Sequence, residues 1–236
     1  MKVRGRRECK ECGTRWSYYD TGEIACPGCG SLHSVGTDDE RSLHTATAAT
    51  LDLSPVRNAI DEQPTRRLAE RAVERCREFT GGYGFIRSGS LQPLDDTYLA
   101  AMELRHVAGE LTRRMDSTDD EKLYFTTLLR ADQGERPAVE EVPDSLRAMR
   151  GLAYANAVKE YRSDLRRYLE EHPDPVVGDI LERLGDHTKR IRALDGDVAP
   201  RAVESLVESA RDIGRYLSSG EESALAAAES RLDELA

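Results

Sequence analysis

Cys9-Lys10-Glu11-Cys12-Gly13 and Cys26-Pro27-Gly28-Cys29-Gly30 decide how this chain begins. Each Cys-x-x-Cys forms a tight turn that aims two thiolates at one point. The glycine after each second cysteine permits the left-handed backbone that such a knuckle requires. Thirteen residues separate Cys12 from Cys26, room for one short hairpin. Two knuckles supply four sulfurs, the closed tetrahedral donor set of a structural site, with no open position for a catalytic water. The expected ligands are Cys9, Cys12, Cys26 and Cys29, and the expected cofactor is one structural Zn²⁺. Iron, as in rubredoxin, is the alternative, because sulfur ligation alone does not choose the metal. A thioredoxin-like redox pair is disfavoured, since no βαβ pattern surrounds either motif. His33, four residues past Cys29, reads as a surface residue.

The residues between and around the knuckles read as a small sheet. Arg15-Trp16-Ser17-Tyr18-Tyr19 has strand character and Asp20-Thr21-Gly22 turn character, with Lys2 to Glu8 and Ser31 to Val35 as flanking strands. Alternation places Trp16 and Tyr18 on one side, Arg15 and Tyr19 on the other, and lines up Lys2, Arg4 and Arg6. A segment this small buries too little surface to fold alone, so metal binding would supply its folding free energy.

Behind it, residues 38–54 read as a Thr-, Ser- and Asp-rich linker, and residues 55–236 as helical. Pro64, Pro143, Pro175 and Pro200 sit near the starts of helical stretches, where proline is tolerated, and Asp95-Asp96 precedes another. Apolar stripes run through Leu68, Ala72, Cys76 and Phe79, then through Leu104, Val107, Leu111 and Met115. Further stripes follow at Leu146 to Tyr168, Val177 to Leu194, Val203 to Leu217 and Leu225 to Leu235. Six to eight amphipathic helices packed as antiparallel hairpins are expected, with strand signals almost absent. The fold class is therefore mainly α: a three-stranded β zinc ribbon over 1–37, a linker over 38–54, and an all-α bundle over 55–236.

Charge is unevenly placed along the 236 residues. The chain carries −10 in all, yet residues 1–37 hold six basic side chains against four acidic ones, a net +2 that leaves −12 for the rest. A basic head on an acidic body points to a charged partner for the head. Only five of the 34 basic residues are lysine. Abundant carboxylates with few lysines is the composition of proteins from salt-loving organisms, where self-repulsion is screened; an Arg-favouring GC-rich genome is the other cause. The opening MKVRGRRECK has no apolar core of a signal peptide, and no run approaches the roughly 18 apolar residues of a membrane helix. A cytoplasmic protein is expected, and in that reducing compartment paired Cys-x-x-Cys motifs bind metal.

The opening MKVRGRRECKECGTRWSYYDTGEIACPGCGS resembles the N-terminus of a haloarchaeal family of uncharacterised zinc-ribbon-containing proteins, with a ribbon of the transcription factor IIB type. The resemblance implies the ribbon fold of the head and a zinc ion at the four cysteines, and no activity. Likeness to transcription factor IIB itself stops at the ribbon, because residues 55–236 show nothing like its two cyclin-like repeats. A transcription role would rest on fold analogy alone.

No catalytic constellation emerges. Glu103-Leu104-Arg105-His106 is an ExxH, the motif of di-iron bundles, but no second ExxH accompanies it, and an ordinary charged helix face is expected. Thr80-Gly81-Gly82-Tyr83-Gly84-Phe85 lacks the Lys-Ser/Thr end of a phosphate loop and reads as a helix end and turn. Cys76 lies on an apolar stripe as a small hydrophobe. The expectation is a non-catalytic, zinc-binding adaptor whose head presents Arg4, Arg6, Arg15, Trp16, Tyr18 and Tyr19 to a protein partner, since Arg and aromatics anchor interfaces. Nucleic-acid binding through the basic strand is the first alternative. An electron carrier of the rubredoxin or rubrerythrin kind is the second.

Overall fold

The computed structural model describes residues 1–235. Its head is built from β1 (Lys2–Val3), β2 (Arg6–Cys9), β3 (Arg15–Ser17), the four-residue helix α1 (Tyr18–Thr21) and β4 (Ser34–Gly36). β2 is the central strand of an antiparallel sheet in the order β3-β2-β4, the three-stranded ribbon expected. The flanking strand read over Lys2 to Glu8 is instead two. It breaks at Gly5, whose backbone lies against the Tyr19 ring so closely that a Cβ would meet Tyr19 Cε2 at 1.9 Å. The strand read over Arg15 to Tyr19 also stops early. Tyr18 N–H donates to the Gly5 carbonyl (2.7 Å) and the chain turns into α1, closed by Gly22 at φ 68°.

The register fixes which side chains share a face. Arg15 pairs with Glu8, and Glu8 with Val35; Trp16 pairs with Arg7, and Arg7 with Gly36. Directly opposed residues lie on one side of an antiparallel sheet. Arg6, Glu8, Arg15, Ser17 and Val35 therefore form one face, and Arg7, Cys9 and Trp16 the other.

The stretch 38–54 runs along both units. Its β5 (Ser42–Leu43) pairs with β1, and the N-terminal amine donates to the His44 carbonyl at 3.0 Å. Leu43 and Leu53 are buried in the body's core. His44 packs against the Tyr18 and Tyr19 rings, with centroids at 5.8 and 4.8 Å. The Thr45 hydroxyl donates to Asp164 Oδ2 at 2.6 Å, and Phe85 N–H donates to the same oxygen at 2.7 Å. Asp164 is buried and ion-paired to Arg167 at 2.9 Å. One carboxylate thus ties this segment to the bundle.

The body contains α2 (Ser54–Arg57), α3 (Thr65–Gly82), β6 (Ile86–Arg87), β7 (Ser90–Leu91), α4 (Asp96–Arg113), α5 (Asp119–Leu128), α6 (Arg147–Glu171), α7 (Pro175–Ala193), α8 (Pro200–Ser219) and α9 (Glu222–Glu234). Local chemistry sets most starts. Asp95 caps α4 by accepting from Tyr98 N–H at 2.7 Å, and Asp174 caps α7 through Val176 and Val177 N–H. Pro175 and Pro200 open α7 and α8, where a missing N–H costs nothing. Thr118 and Glu121 form a reciprocal capping box at α5. α6 is the central helix, buried between α4, α7 and α8, while α3 packs on α4 and α9 on α8. β6 and β7 make a small hairpin turned at Ser88 (φ 52°) and Gly89 (φ 80°).

Seven helices of ten residues or more, among the described residues, match the expected bundle. Two stripe ends differ. Met115 is 98 % exposed because α4 ends at Arg113, and Leu194 is 50 % exposed at the end of α7. The ExxH is not a charged surface. Glu103 is wholly buried, accepting from the Tyr124 and Tyr154 hydroxyls, with Arg150 Nη1 at 3.5 Å. Burial pushes its carboxyl up, and Arg150 and the two hydroxyls oppose that.

Two outcomes test this packing. Asp164→Ala strands the Phe85 N–H and the Thr45 hydroxyl, and is expected to lower stability by about 2–4 kcal/mol in chemical denaturation. Amide exchange should rise at Thr45 and Phe85. Burial and the nearby Arg87 hold the His44 imidazole below its ordinary value of 6.5. His106 and His187 are lowered too, burial being the first cause in each. Below about pH 6.5 the unfolded chain takes up protons that the folded chain refuses, so stability falls as pH falls. His44→Gln is expected to flatten part of that slope in pH-dependent melting.

Candidate metal centre

Both cysteine pairs sit on matched hairpin turns. In the first knuckle Gly13 N–H donates to the Cys9 carbonyl (3.1 Å) and Cys9 N–H to the Thr14 carbonyl (2.9 Å). In the second, Gly30 N–H donates to the Cys26 carbonyl (2.8 Å) and Cys26 N–H to the Ser31 carbonyl (2.9 Å). Gly13 and Gly30 adopt φ of 71° and 73°, the left-handed backbone expected after each second cysteine.

The turns converge their sulfurs. All four Sγ atoms lie within 4.8 Å of one another, with Cys9–Cys29 and Cys12–Cys26 at 3.6 Å. A tetrahedral ion with metal–sulfur bonds near 2.3 Å needs sulfurs about 3.8 Å apart. A disulfide needs about 2.05 Å. The cluster therefore has the dimensions of a four-thiolate metal site, and these cysteines are close enough to hold an ion. Cys9 and Cys26 are buried, whereas Cys12 and Cys29 are exposed. The Thr14 hydroxyl, 3.1 Å from Cys12 Sγ, is the main cause that lowers the Cys12 thiol to about 6. A hydrogen bond from Ser31 lowers Cys29, but its cysteine neighbours push it up to about 12. A metal ion replaces whatever protons remain in such a cluster.

Trp16 seals the buried side. It is 9 % exposed, forms one small cluster with Cys9 and Cys26, and donates from Nε1 to the Glu23 carbonyl at 3.1 Å. His33 stays outside, its Nδ1 3.1 Å from Glu11 Oε1 on the surface. Among the described residues, no other group of three or more His, Cys, Asp or Glu gathers in this way. In the ExxH, both Glu103 oxygens are taken by tyrosines. His106 Nδ1–H donates to the Met102 carbonyl (2.8 Å) and Nε2 accepts from Asn156 (3.1 Å).

The structure divides the six residues read as partner-binding. Arg4, Arg6 and Arg15 are exposed. Arg6 is paired with Asp38 and Arg15 with Glu8, and Arg4 donates to the Asp39 carbonyl. Trp16, Tyr18 and Tyr19 are packed inside the head or against His44. Three exposed apolar residues escaped the sequence reading: Ile24 (52 %), Leu32 (69 %) and Val35 (40 %). Val35 is legible afterwards, since it occupies the face of β4 that looks away from the cysteines.

A small ribbon with four clustered cysteines on a mainly helical body defines the class of this protein. The chain belongs to a family of unknown function, DUF7117, whose model matches residues 1–232, so head and body form one family unit. No solved structure matches the chain. Among the described residues, no helix is long and apolar enough to cross a membrane.

Cys26→Ser removes a buried sulfur of the cluster. It is expected to abolish metal binding and red-shift Trp16 emission, while far-ultraviolet circular dichroism stays nearly unchanged because the body has its own core. Collapse of the helical signal would overturn that independence.

Proposed function

We propose that the four cysteines hold one structural Zn²⁺, and that the protein is a non-catalytic adaptor whose ribbon presents its outer face to a protein partner. The observation that carries this reading is the division of the ribbon. The sulfurs and Trp16 occupy one face, and the opposite face leaves Arg6, Arg15 and Val35 exposed. A donor set with four thiolates has no position for a reacting group, so the ion shapes the head instead of doing chemistry. Arginines beside isolated apolar side chains are the usual material of a protein interface.

Nucleic-acid binding is the weaker reading. Stacking on bases needs free aromatic faces, and Trp16, Tyr18 and Tyr19 are packed. Residues 38–236, at −12, would also repel phosphates. Iron in the same site is the remaining alternative, because the ligands do not choose between the metals. The lysine-poor, carboxylate-rich composition supports a haloarchaeal cytoplasm as the setting.

Two measurements test the proposal. Elemental analysis of the purified protein is expected to return one zinc per chain and a colourless solution; a red ferric spectrum would replace zinc with iron. Arg6→Glu with Arg15→Glu should abolish co-purification of a protein partner at native salt, with nuclease making no difference. Loss of every partner after nuclease treatment would transfer the proposal to nucleic acid.

A further inference from the structure

The seam between α3, α4 and α6 opens into a cleft of about 350 Å³, lined among others by Thr80, Tyr98, Arg105, His106, Asn156 and Glu160. Its polar groups fall into two sets, those already satisfied and those left free. His106 is satisfied as a neutral ring through Met102 and Asn156. Asn156 Oδ1 accepts from Arg192 Nε–H at 2.9 Å, which leaves one Asn156 amide N–H unused. The Thr80 hydroxyl donates to the Cys76 carbonyl at 2.7 Å, so it can only accept from Arg105, at 3.3 Å.

Arg105 has that single partner and no ion pair among the described residues. Arg113, Arg114, Arg150 and Arg211 all hold carboxylates by contrast. Tyr98 is 1 % exposed, and its ring is fixed by Tyr83 and Phe85 with centroids at 4.7 and 5.0 Å. Its hydroxyl has no hydrogen-bond partner among the described residues, and Tyr98 lines the cleft. Burial, then Glu160, raise the phenol, so it stays protonated and donates. Glu160 also lines the cleft; it is half-exposed and pairs through Oε1 with Lys159 at 2.9 Å. Beyond Arg105 and His106 a second shallow cleft continues past Arg77 and Arg113.

Apart from the Glu160 carboxylate, whose second oxygen has no partner among the described residues, the free groups are donors: the Arg105 guanidinium, the Tyr98 hydroxyl and one Asn156 N–H. Donors that line one recess together with a guanidinium lacking an ion pair select a ligand with anionic oxygens. We propose that this cleft binds a small organic oxyanion, with its phosphoryl or carboxylate group held by Arg105 and Tyr98. The site is separate from the metal centre and independent of any role assigned to the ribbon.

Titration calorimetry on the full chain with inorganic phosphate and with acetate, at constant chloride, tests the site. One saturable equivalent is expected from at least one probe; stronger phosphate binding identifies a phosphoryl ligand, and stronger acetate binding a carboxylate. Arg105→Gln should weaken it about tenfold or more, the scale of one charge-assisted contact. Tyr98→Phe keeps the ring and its packing and should weaken it about threefold or more. Arg66→Gln, on the exposed side of α3, should leave it unchanged. Absence of saturable binding for both probes, or binding that survives either cleft substitution undiminished, overturns the proposal. Should Arg105→Gln fail to fold by circular dichroism, Tyr98→Phe decides alone.

Discussion

Convergence of four sulfurs is the constraint on which the head depends. Its own buried cluster is Cys9, Trp16 and Cys26, far too little apolar surface to offset the entropy of ordering some 37 residues. Two of the three members of that core are themselves cysteines of the cluster. A bound ion would therefore be the centre of the head's core, with the strands arranged around it. The sheet then has two unlike sides: one closes over the sulfurs, and the other is free to carry Arg6, Arg15 and Val35.

The head does not hang from a free tether. β5 pairs with β1, Thr45 reaches Asp164, and Asp20 meets Arg87 at 2.6 Å. Lys2 lies 3.1 Å from Glu171 on α6. The exposed ion pairs among these add little individually. Asp164 is different, because its buried carboxylate completes backbone and hydroxyl hydrogen bonds that water cannot reach. Residues 42–46 thus act as a strap that belongs to both units.

Inside the bundle, polar chemistry specifies how the helices meet. Glu103 on α4 accepts from Tyr124 on α5 and Tyr154 on α6, and Arg150 continues to Glu204 on α8 at 2.8 Å. The Arg136 and Arg150 guanidiniums lie 5.3 and 4.9 Å from the Tyr154 ring centroid. Such a network is no stronger than an apolar core of equal volume, but a misregistered α4 would strand a carboxylate in the interior. With a core made mostly of aliphatic side chains rich in interchangeable contacts, that penalty narrows the ways four helices can pack.

Local chemistry alone made much of this legible. The cysteine spacing with its two glycines carries its geometry inside a few residues, so the clustering of the four cysteines, the knuckles and the three-stranded ribbon followed directly. Helix existence followed from apolar periodicity, and starts from Asp95, Pro175 and Pro200, because caps and proline act within one turn. The Thr118–Glu121 capping box obeys the same rule but was not singled out in the sequence. What only the tertiary structure decided depends on contacts between distant residues. Glu103 looks like any surface glutamate until Tyr124, Tyr154 and Arg150 close over it. Tyr18 and Tyr19 look like interface residues until His44 packs against them, and Thr45 looks like linker until Asp164, 119 residues away, receives its hydroxyl. Burial is a property of what a side chain meets, and no short-range pattern encodes the identity of a partner that far along the chain.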